Sequence, residues 1–277
     1  MKNIKILYED KNLIVIDKPA GLTVHSSAEQ IFNKINLKKK KTQEKTVVDF
    51  ILDYDIKIEK VGESIKSEYK GEQVKIPRPG IVHRLDKETS GVLIIARNQK
   101  TFLFLKDQFQ NHKIKKTYKA FVYGYVSDPR ASLLTGKRGI INVPIGRSPK
   151  DIRMYTAGRG AKEPLREAVT EYTVLDRFTD TKKEIEKKEV DHQYSYIEVY
   201  PKTGRTHQIR VHMRYINHPI VSDSLYGGSK NFALGMKRLA LHAHFITFSL
   251  PNGESKTVEA PLPSDFKNVI KTYLNKI

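Results

Sequence analysis

The chain has 277 residues, no cysteine, and 50 Lys and Arg residues against 31 Asp and Glu, which gives a formal net charge of +19. The absence of cysteine excludes disulfides, thiolate catalysis and cysteine-ligated zinc. No apolar run reaches the ~18 residues of a membrane helix and no secretory signal is visible, so we expect a cytoplasmic protein without a membrane partner. The positive charge favours a polyanionic partner such as nucleic acid, but a lysine-rich surface without such a partner explains it equally well.

Apolar patterning predicts both strands and helices. Strands are predicted at 4–8, 13–17, 92–96, 117–126, 195–200 and 239–250. Helices are predicted at about 47–52, 99–111 and 205–216, where apolar residues recur at helical spacing. Only five apolar residues mark 92–96 (VLIIA), so periodicity alone does not exclude a helix there. Because strands and helices mix without strict alternation and no long linker is present, we expect one α+β domain over residues 1–277.

Two stretches are rich in charge. Residues 34–76 include KKKK at 38–41, and apart from the short predicted helix they have the composition of solvated surface. Residues 182–189 (KKEIEKKE) lie between two strand-like runs, which predicts a solvated hairpin tip. Both stretches are therefore predicted to lie at the surface.

A compact polar cluster, HRLDKETS at 83–90, follows Pro79 and Gly80 and precedes the run at 92–96. Polar residues on a loop held by a rigid strand are a common arrangement for a site. Judged alone, Asp86 is more simply a turn cap that accepts a hydrogen bond from a nearby backbone N–H. In the same view, Thr89 and Ser90 satisfy backbone groups of the turn.

A second cluster, PKTGRTHQIRVHMRYINHP, covers residues 201–219. Gly204 permits a tight turn, and the helix predicted to start at Arg205 carries several basic side chains. A helix N-terminus with an arginine fork suits an anion or RNA contact. A basic, solvated helix face is the other interpretation, and the local sequence leaves both open.

The histidines raise the question of a metal site. His242 and His244 lie two apart in a predicted strand, hence on one face, and His207 and His212 are available elsewhere. Three histidines could hold zinc. However, HExxH is absent and LALHAHFITF is otherwise core-like, so histidines in or beside a core are the preferred interpretation. GxSxG and the glycine-rich phosphate loops are also absent.

Several motifs resemble, in order, those of the RluA-type RNA pseudouridine synthases, which isomerise uridines of large-subunit rRNA and tRNA. The matching segments are DKPAGLTVH at 17–25, RPGIVHRLDKETSGVLIIAR at 78–97, KKTYKAFVYG at 115–124, PIGR at 144–147, PKTGRTHQIRVHM at 201–213, HPIVSDSLYG at 218–227 and LALHAHFITF at 239–248. HRLD followed by TSG is highly specific. The resemblance implies an α+β fold with a mixed, largely antiparallel sheet. It also implies a reaction that needs neither metal nor organic cofactor: the glycosidic bond breaks, the uracil rotates, and carbon 5 is rejoined to the sugar.

The resemblance also implies roles for the matching residues. Asp86 matches the essential Asp and would act as a covalent nucleophile, on either the sugar's anomeric carbon or the uracil ring. Tyr118 matches the tyrosine that stacks on the base, and Arg205 matches the arginine that pairs with the nucleophile. Arg84 matches the arginine that enters the space left by the flipped base. Further substrate contacts are predicted within the same motifs: His83, Thr89 and His207.

Three features depart from the family pattern. The motifs begin at about residue 17, so we expect no separate N-terminal RNA-binding domain. The family usually has glycine where this chain has Asn217 and Ser222. The charged stretch at 34–76 is longer than usual between the first two motifs, and is either an RNA-contacting extension or a dispensable insertion.

Together, these observations predict a monomeric cytoplasmic isomerase that converts specific uridines in structured RNA, with large-subunit rRNA favoured over tRNA. The alternative is a catalytically silent RNA-binding or ribosome-assembly protein on the same fold. A histidine-based metallohydrolase is a third class, which would require tightly bound zinc.

Overall fold

A computed structural model describes residues 4–36, 44–127, 138–183, 189–228 and 232–275. In chain order the strands are β1 Lys5–Glu9, β2 Leu13–Lys18, β3 Ile65–Tyr69, β4 Glu72–Ile76, β5 Ser90–Ala96, β6 Lys115–Tyr123, β7 Arg138–Asn142, β8 Ile145–Arg147, β9 Tyr155–Ala157, β10 Lys162–Arg166, β11 Val169–Lys183, β12 Glu189–Pro201, β13 Leu241–Ser249 and β14 Ser255–Glu259. The helices are α1 Ala28–Asn36, α2 Val47–Tyr54, α3 Gln99–Gln110, α4 Gln208–Tyr215 and α5 Ser264–Val269, with a 3₁₀ turn at Ile56–Lys60 and a π-helical turn at Ile270–Leu274. The fold is α+β with a largely antiparallel sheet, as predicted.

The chain divides into two compact units. Residues 1–114 and 247–260 form the first unit, and residues 115–246 and 261–277 form the second. Strand β13 contributes residues 241–246 to the second unit and 247–249 to the first. No helix in the described ranges combines the length and the apolar character needed to cross a membrane.

In the first unit, β1, β2 and β5 pair antiparallel in that order. The run at 92–96 is a strand, because it pairs along its length with β2, with Ile14 opposite Ile95 and Ile16 opposite Leu93. Every residue of β5 is buried. A strand covered on both faces needs no polar alternation, which is why its sequence has no period of two. The strands predicted at 4–8 and 13–17 and the helix predicted at 99–111 are confirmed by β1, β2 and α3.

Residues 44–76 are mostly exposed, as predicted, but they contain more regular structure than the one predicted helix. Helix α2 begins with a capping box between Thr46 and Asp49, and β3 and β4 form a hairpin. Single apolar residues there, such as Ile58 and Val74, are buried. They are spaced among charged neighbours, so a sequence window that averages over them appears polar. The KKKK segment at 38–41 lies outside the described residues.

The turn of the β3–β4 hairpin explains its register. Lys70 and Gly71 form a two-residue loop and both have positive φ, at 51° and 80°. Positive φ at both central positions is the type I′ geometry that matches the twist of paired strands. Tyr69 therefore lies opposite Glu72, and the alternation along β4 places Val74 and Ile76 on the buried side.

In the second unit the strand order is β13, β6, β12, β11 and β7. Strands β11 and β12 form a long antiparallel hairpin whose register ends with Lys183 opposite Glu189. The predicted hairpin is confirmed, but residues 184–188 at its tip lie outside the described part of the chain. The core of this unit is rich in aromatic rings. For example, Phe121 stacks on Tyr196 with their centroids 4.8 Å apart.

Helix α4 differs from its prediction in two ways. It begins at Gln208 and not at 205, because the preceding His207 has left-handed backbone with φ 56°. Arg205 therefore lies in the turn before the helix. The interpretation of a solvated basic face is wrong for Arg210 and His212, which are both buried.

Asn217 occupies the glycine position of a Schellman motif at the end of α4. Its N–H donates to the Arg214 carbonyl and the next N–H donates to the Met213 carbonyl, both at 2.9 Å. Its φ is 64°, in the left-handed region that favours glycine. This backbone conformation explains why the family usually has glycine there.

We therefore predict that Asn217→Gly stabilises the protein by about 0.5 kcal/mol, because it removes a left-handed side-chain penalty. Urea unfolding measures the change. Ser222→Gly is the matched control. Ser222 also has positive φ, at 58°, but its Oγ donates to the buried Met236 carbonyl at 2.9 Å, so the substitution loses a bond. A lower unfolding free energy for Asn217→Gly would contradict the prediction.

Candidate active site

The segment that carries Asp86 is pressed against β5 in the first unit. Gly80 has φ 66°, and a Cβ atom there would lie 2.6 Å from the Ala96 carbonyl oxygen. Its N–H donates to the Val61 carbonyl at 2.9 Å, and its own carbonyl accepts from the Ala96 N–H at 2.8 Å. Only glycine allows this close backbone approach. The polar cluster at 83–90 therefore begins three residues after a glycine that is fixed against the buried strand β5.

Lys18 fixes the other side of the same loop. Its side chain is completely buried, and Nζ donates to the carbonyls of Pro19, Leu22 and Lys87 at 3.0, 2.8 and 3.0 Å. The Gly21 N–H also donates to the Lys87 carbonyl, at 2.8 Å. Because Lys87 directly follows Asp86, these bonds fix the main chain beside Asp86. Lys18 lies within the motif DKPAGLTVH at 17–25, but its sequence context predicted no role for it.

Asp86 itself is partly exposed. The turn after it is closed by its main-chain carbonyl, which accepts from the Thr89 N–H at 3.2 Å. Thr89 is almost fully buried, so its side chain belongs to the support of the turn. The contact predicted between Thr89 and substrate stays a prediction.

His83 is held by two structural contacts. Its Nε2 accepts from the Ile94 N–H at 2.9 Å, which places the proton of the neutral ring on Nδ1. The ring stacks on Phe109 with the centroids 4.5 Å apart. These contacts join the loop to β5 and α3, which suits a residue that positions its neighbours. A substrate contact by His83 stays a prediction.

Arg84 is exposed and meets His25. Its Nη1 lies 3.3 Å from His25 Nε2. The Nδ1 of His25 lies 2.9 Å from the Ser26 carbonyl, so Nδ1 is the donor and Nε2 accepts from Arg84. Burial, together with the nearby Arg84 and Arg78, lowers the pKa of His25 to about 4. His25 is therefore neutral at neutral pH.

In the second unit, Gln208 organises the turn that carries Arg205. Its Oε1 accepts from the Thr203 hydroxyl at 2.7 Å and from the Arg205 N–H at 3.0 Å, while Nε2 donates to the Val169 carbonyl. Arg205 Nε donates to the Glu167 carbonyl at 2.8 Å. The main chain and side chain of Arg205 are thus both oriented. Gln208 lies three residues after Arg205, which is the spacing of the glutamine in a capping box. This spacing was the sequence signal for the role of Gln208.

Tyr118 lies on β6, partly buried against the core of the second unit and opposite Val199 of β12. Lys116 lies two residues earlier, on the same face of the strand. Its Nζ donates to the Thr203 carbonyl at 3.2 Å, and burial lowers the pKa of Lys116 to about 8. This bond joins the strand of Tyr118 to the turn of Arg205.

His207 combines a strained backbone with an aromatic setting. Its left-handed φ costs a non-glycine residue about 1 kcal/mol or more. Nδ1 lies 2.9 Å from the Tyr226 hydroxyl, which also accepts from the Tyr155 N–H at 2.9 Å. Both tyrosine rings meet the imidazole edge-on. Strain of this kind is concentrated at functional sites, which supports His207 as a candidate site residue.

Each unit thus holds one part of the predicted set. The first unit brings Asp86 together with its loop neighbours His83, Arg84 and Thr89, and the second unit brings Arg205 together with His207 and the strand of Tyr118.

His242, considered above as a metal ligand, is fully buried, with its ring 6.0 Å from that of Phe266. Across the described residues, no group of three or more His, Cys, Asp or Glu side chains could hold a metal ion.

Comparison with known proteins places this arrangement in one family. A family model described as RNA pseudouridylate synthase matches residues 12–215. An uncharacterized RNA pseudouridine synthase of Bacillus subtilis is 33% identical over 97% of this chain and 72% of its own length. The ribosomal large subunit pseudouridine synthase D of Xanthomonas campestris is 33% identical over 96% of this chain and 68% of its own.

Solved structures show the same fold. Human RNA pseudouridylate synthase domain containing 1 matches with a TM-score of 0.64 and 21% identity, over 95% of this chain and 84% of that one. Human RNA pseudouridylate synthase domain containing 4 matches with a TM-score of 0.62 and 25% identity, over 96% and 91%.

These findings define an isomerase that acts on uridine in RNA. The chain belongs to the RNA pseudouridylate synthase family, and more narrowly to its RluA type, which confirms the resemblance carried by the motifs.

Proposed function

We propose that this pseudouridine synthase isomerises specific uridines in large-subunit ribosomal RNA, with Asp86 as its covalent nucleophile. The observation that carries the proposal is the setting of Asp86. Asp86 is a partly exposed residue on a loop whose main chain is fixed by Lys18 on one side and by Gly80 against β5 on the other. A nucleophile needs both access to its target and a rigid support.

The other roles follow from the chemistry of the step. Attack requires an ionised carboxylate, and a nearby cation favours the ionised form, which is the role proposed for Arg205. Tyr118 offers an aromatic face for the uracil. Extruding a uridine from stacked RNA costs a few kcal/mol, and the exposed Arg84 is the residue proposed to fill the vacated space. The net charge of +19 favours binding of the RNA backbone while this distortion is made.

The choice of RNA rests on the relatives. Those of Xanthomonas campestris and Borreliella burgdorferi are named ribosomal large subunit pseudouridine synthase D, and they are 33% and 34% identical to this chain. We therefore place large-subunit rRNA ahead of tRNA. The reaction is proposed to run in the cytoplasm, with the enzyme as a monomer that requires no metal or organic cofactor.

Pseudouridine mapping tests this proposal. We predict that total RNA from cells that lack the gene has lost pseudouridine at one or more positions of large-subunit rRNA, while tRNA is unchanged. The wild-type gene should restore these positions, and a gene that encodes Asp86→Asn should not. Loss confined to tRNA would overturn the rRNA assignment. No loss in any RNA, with the protein bound to ribosomal precursors, would favour the silent assembly protein.

A further inference from the structure

Three basic side chains gather in the first unit: Arg78, Arg84 and His25. Arg84 Nη1 lies 3.3 Å from His25 Nε2. Burial and the charge of Arg84 lower the pKa of Arg78, and both arginines add to the effect of burial on His25. The three groups are therefore close enough to interact electrostatically. Like charges placed together disfavour the folded state unless something compensates them.

No ion pair with a carboxylate compensates these two arginines in the described part of the chain. Neither Arg78 nor Arg84 forms an ion pair there, and Arg78 Nε is buried without a hydrogen-bond partner. Leaving such a donor unpaired costs about 1–3 kcal/mol. Arg97, in the same unit, is the contrast: Asp55 and Glu9 both accept its hydrogen bonds, at 2.7 Å. Arg97 has the contacts of a structural arginine, whereas Arg78 lacks an acceptor.

The groups around this donor are rigidly held. Arg78 precedes Pro79, which forms a bridge with Gly62, and Gly80, which is pressed against β5. His25 stands on a loop that is docked on α2, because the carbonyls of Thr23 and Val24 accept from the first N–H groups of that helix at 2.9 and 3.0 Å. A rigid set of donors binds its ligand with little loss of conformational entropy.

We propose that Arg78 binds one phosphodiester group of the RNA beside the space assigned to Arg84, with His25 as the residue that positions Arg84. This inference rests on the proposed RNA substrate. Arg78 is partly exposed as a residue, and its planar guanidinium carries paired N–H donors that match two phosphate oxygens. The neutral His25 accepts from Arg84 and holds that guanidinium beside the site without adding a charge. Since Arg84 is only two residues from Asp86, the phosphate belongs to a nucleotide near the target uridine.

Arg78→Gln tests the phosphate contact. We predict that RNA affinity falls about tenfold, and that the slope of log affinity against log salt becomes shallower by about 0.7, as expected for one lost phosphate contact. Lys100→Gln is the matched control. It removes one positive charge from an exposed position on α3 of the same unit and should leave affinity nearly unchanged. Arg78→Lys keeps the charge but loses the fork, so it should fall between the two.

Chemical replacement of single phosphates identifies the ligand. The RNA is a synthetic hairpin with the mapped uridine, in which each nearby phosphate in turn is a neutral methylphosphonate. We predict one position where the replacement weakens binding by the wild type but weakens Arg78→Gln no further. If every replacement weakened binding by Arg78→Gln as much as it weakens binding by the wild type, the proposal would be overturned. Wild-type RNA affinity in Arg78→Gln would also overturn it.

A direct observation covers the case in which Arg78→Gln fails to fold. In the wild-type protein labelled with ¹⁵N, the Arg78 Nε–H signal should shift on addition of the hairpin, while the Arg97 signal should not. A shift with inorganic phosphate but not with the hairpin would replace the RNA contact by a free-phosphate site and overturn the proposal as stated. Turnover is scored separately on the same hairpin: bound phosphate without pseudouridine formation would refute the proposed function and leave the phosphate site intact.

Discussion

Asp86→Asn is expected to form no pseudouridine while binding RNA as tightly as the wild type. The amide has the shape of the carboxylate but no negative charge to attack carbon, so the covalent step cannot begin. The loop should keep its conformation, because it is held by the Lys18 bonds and by main-chain groups and not by the Asp86 side chain alone. Single-turnover conversion of the mapped hairpin, followed by mass spectrometry of the RNA, measures the loss.

Glu88→Gln provides the control for this experiment. It makes the same change from carboxylate to amide two residues later on the same loop. Since Glu88 has no proposed role in the reaction, the variant should convert RNA at the wild-type rate. The mass of purified Asp86→Asn must also be checked, because deamidation would regenerate the nucleophile. Turnover near the wild-type rate by a variant of the correct mass would remove Asp86 from the mechanism.

Strong local patterns were enough to predict most of the elements near the site. The run at 92–96 and the helix at 99–111 became β5 and α3, and the fold class followed from the mixture of elements. The role predicted for Asp86 followed only from the ordered motifs, because its local sequence alone better suited a turn cap. The structure adds the reason for its fixed position, which is the pair of supports on either side of its loop.

The long-range contacts of the supporting residues were not predictable from patterns, although the spacing of Gln208 from Arg205 is that of a capping box. Lys18 acts on Lys87, 69 positions further along the chain, and Gln208 acts on the carbonyl of Val169. Such contacts depend on main-chain carbonyls, which every residue has, so neither composition nor spacing marks them. The start of α4 was missed for a related reason. His207 adopts left-handed backbone that apolar periodicity does not encode.

Asp223→Ala is expected to lower the free energy of unfolding by about 3–5 kcal/mol, the usual effect of removing one partner of a buried ion pair. Asp223 is fully buried, and both its oxygens accept from Arg210, at 2.7 and 2.8 Å. It also accepts from the N–H groups of Leu225 and Tyr226, both at 2.9 Å. The alanine would leave a buried cation and two backbone donors without their acceptor. Urea unfolding measures the effect.

Asp151→Ala is the matched control, because Asp151 makes the same forked pair with Arg153 at an exposed site in the same unit. Solvent screens that pair, so its loss should change the unfolding midpoint little. The double variant Arg210→Met/Asp223→Ala should be no less stable than Asp223→Ala alone, since it also removes the stranded cation. Additive losses would contradict this account of the pair.

The same pair bears on the candidate site through Tyr226. Asp223 holds the Tyr226 N–H, and the Tyr226 hydroxyl contacts both His207 and the Tyr155 N–H. Loss of Asp223 should therefore release the restraint on His207 as well as lower stability. If His207 contacts the RNA as predicted, Asp223→Ala kept folded at low temperature should bind the hairpin more weakly than Asp151→Ala does. Equal affinity would confine Asp223 to a role in stability.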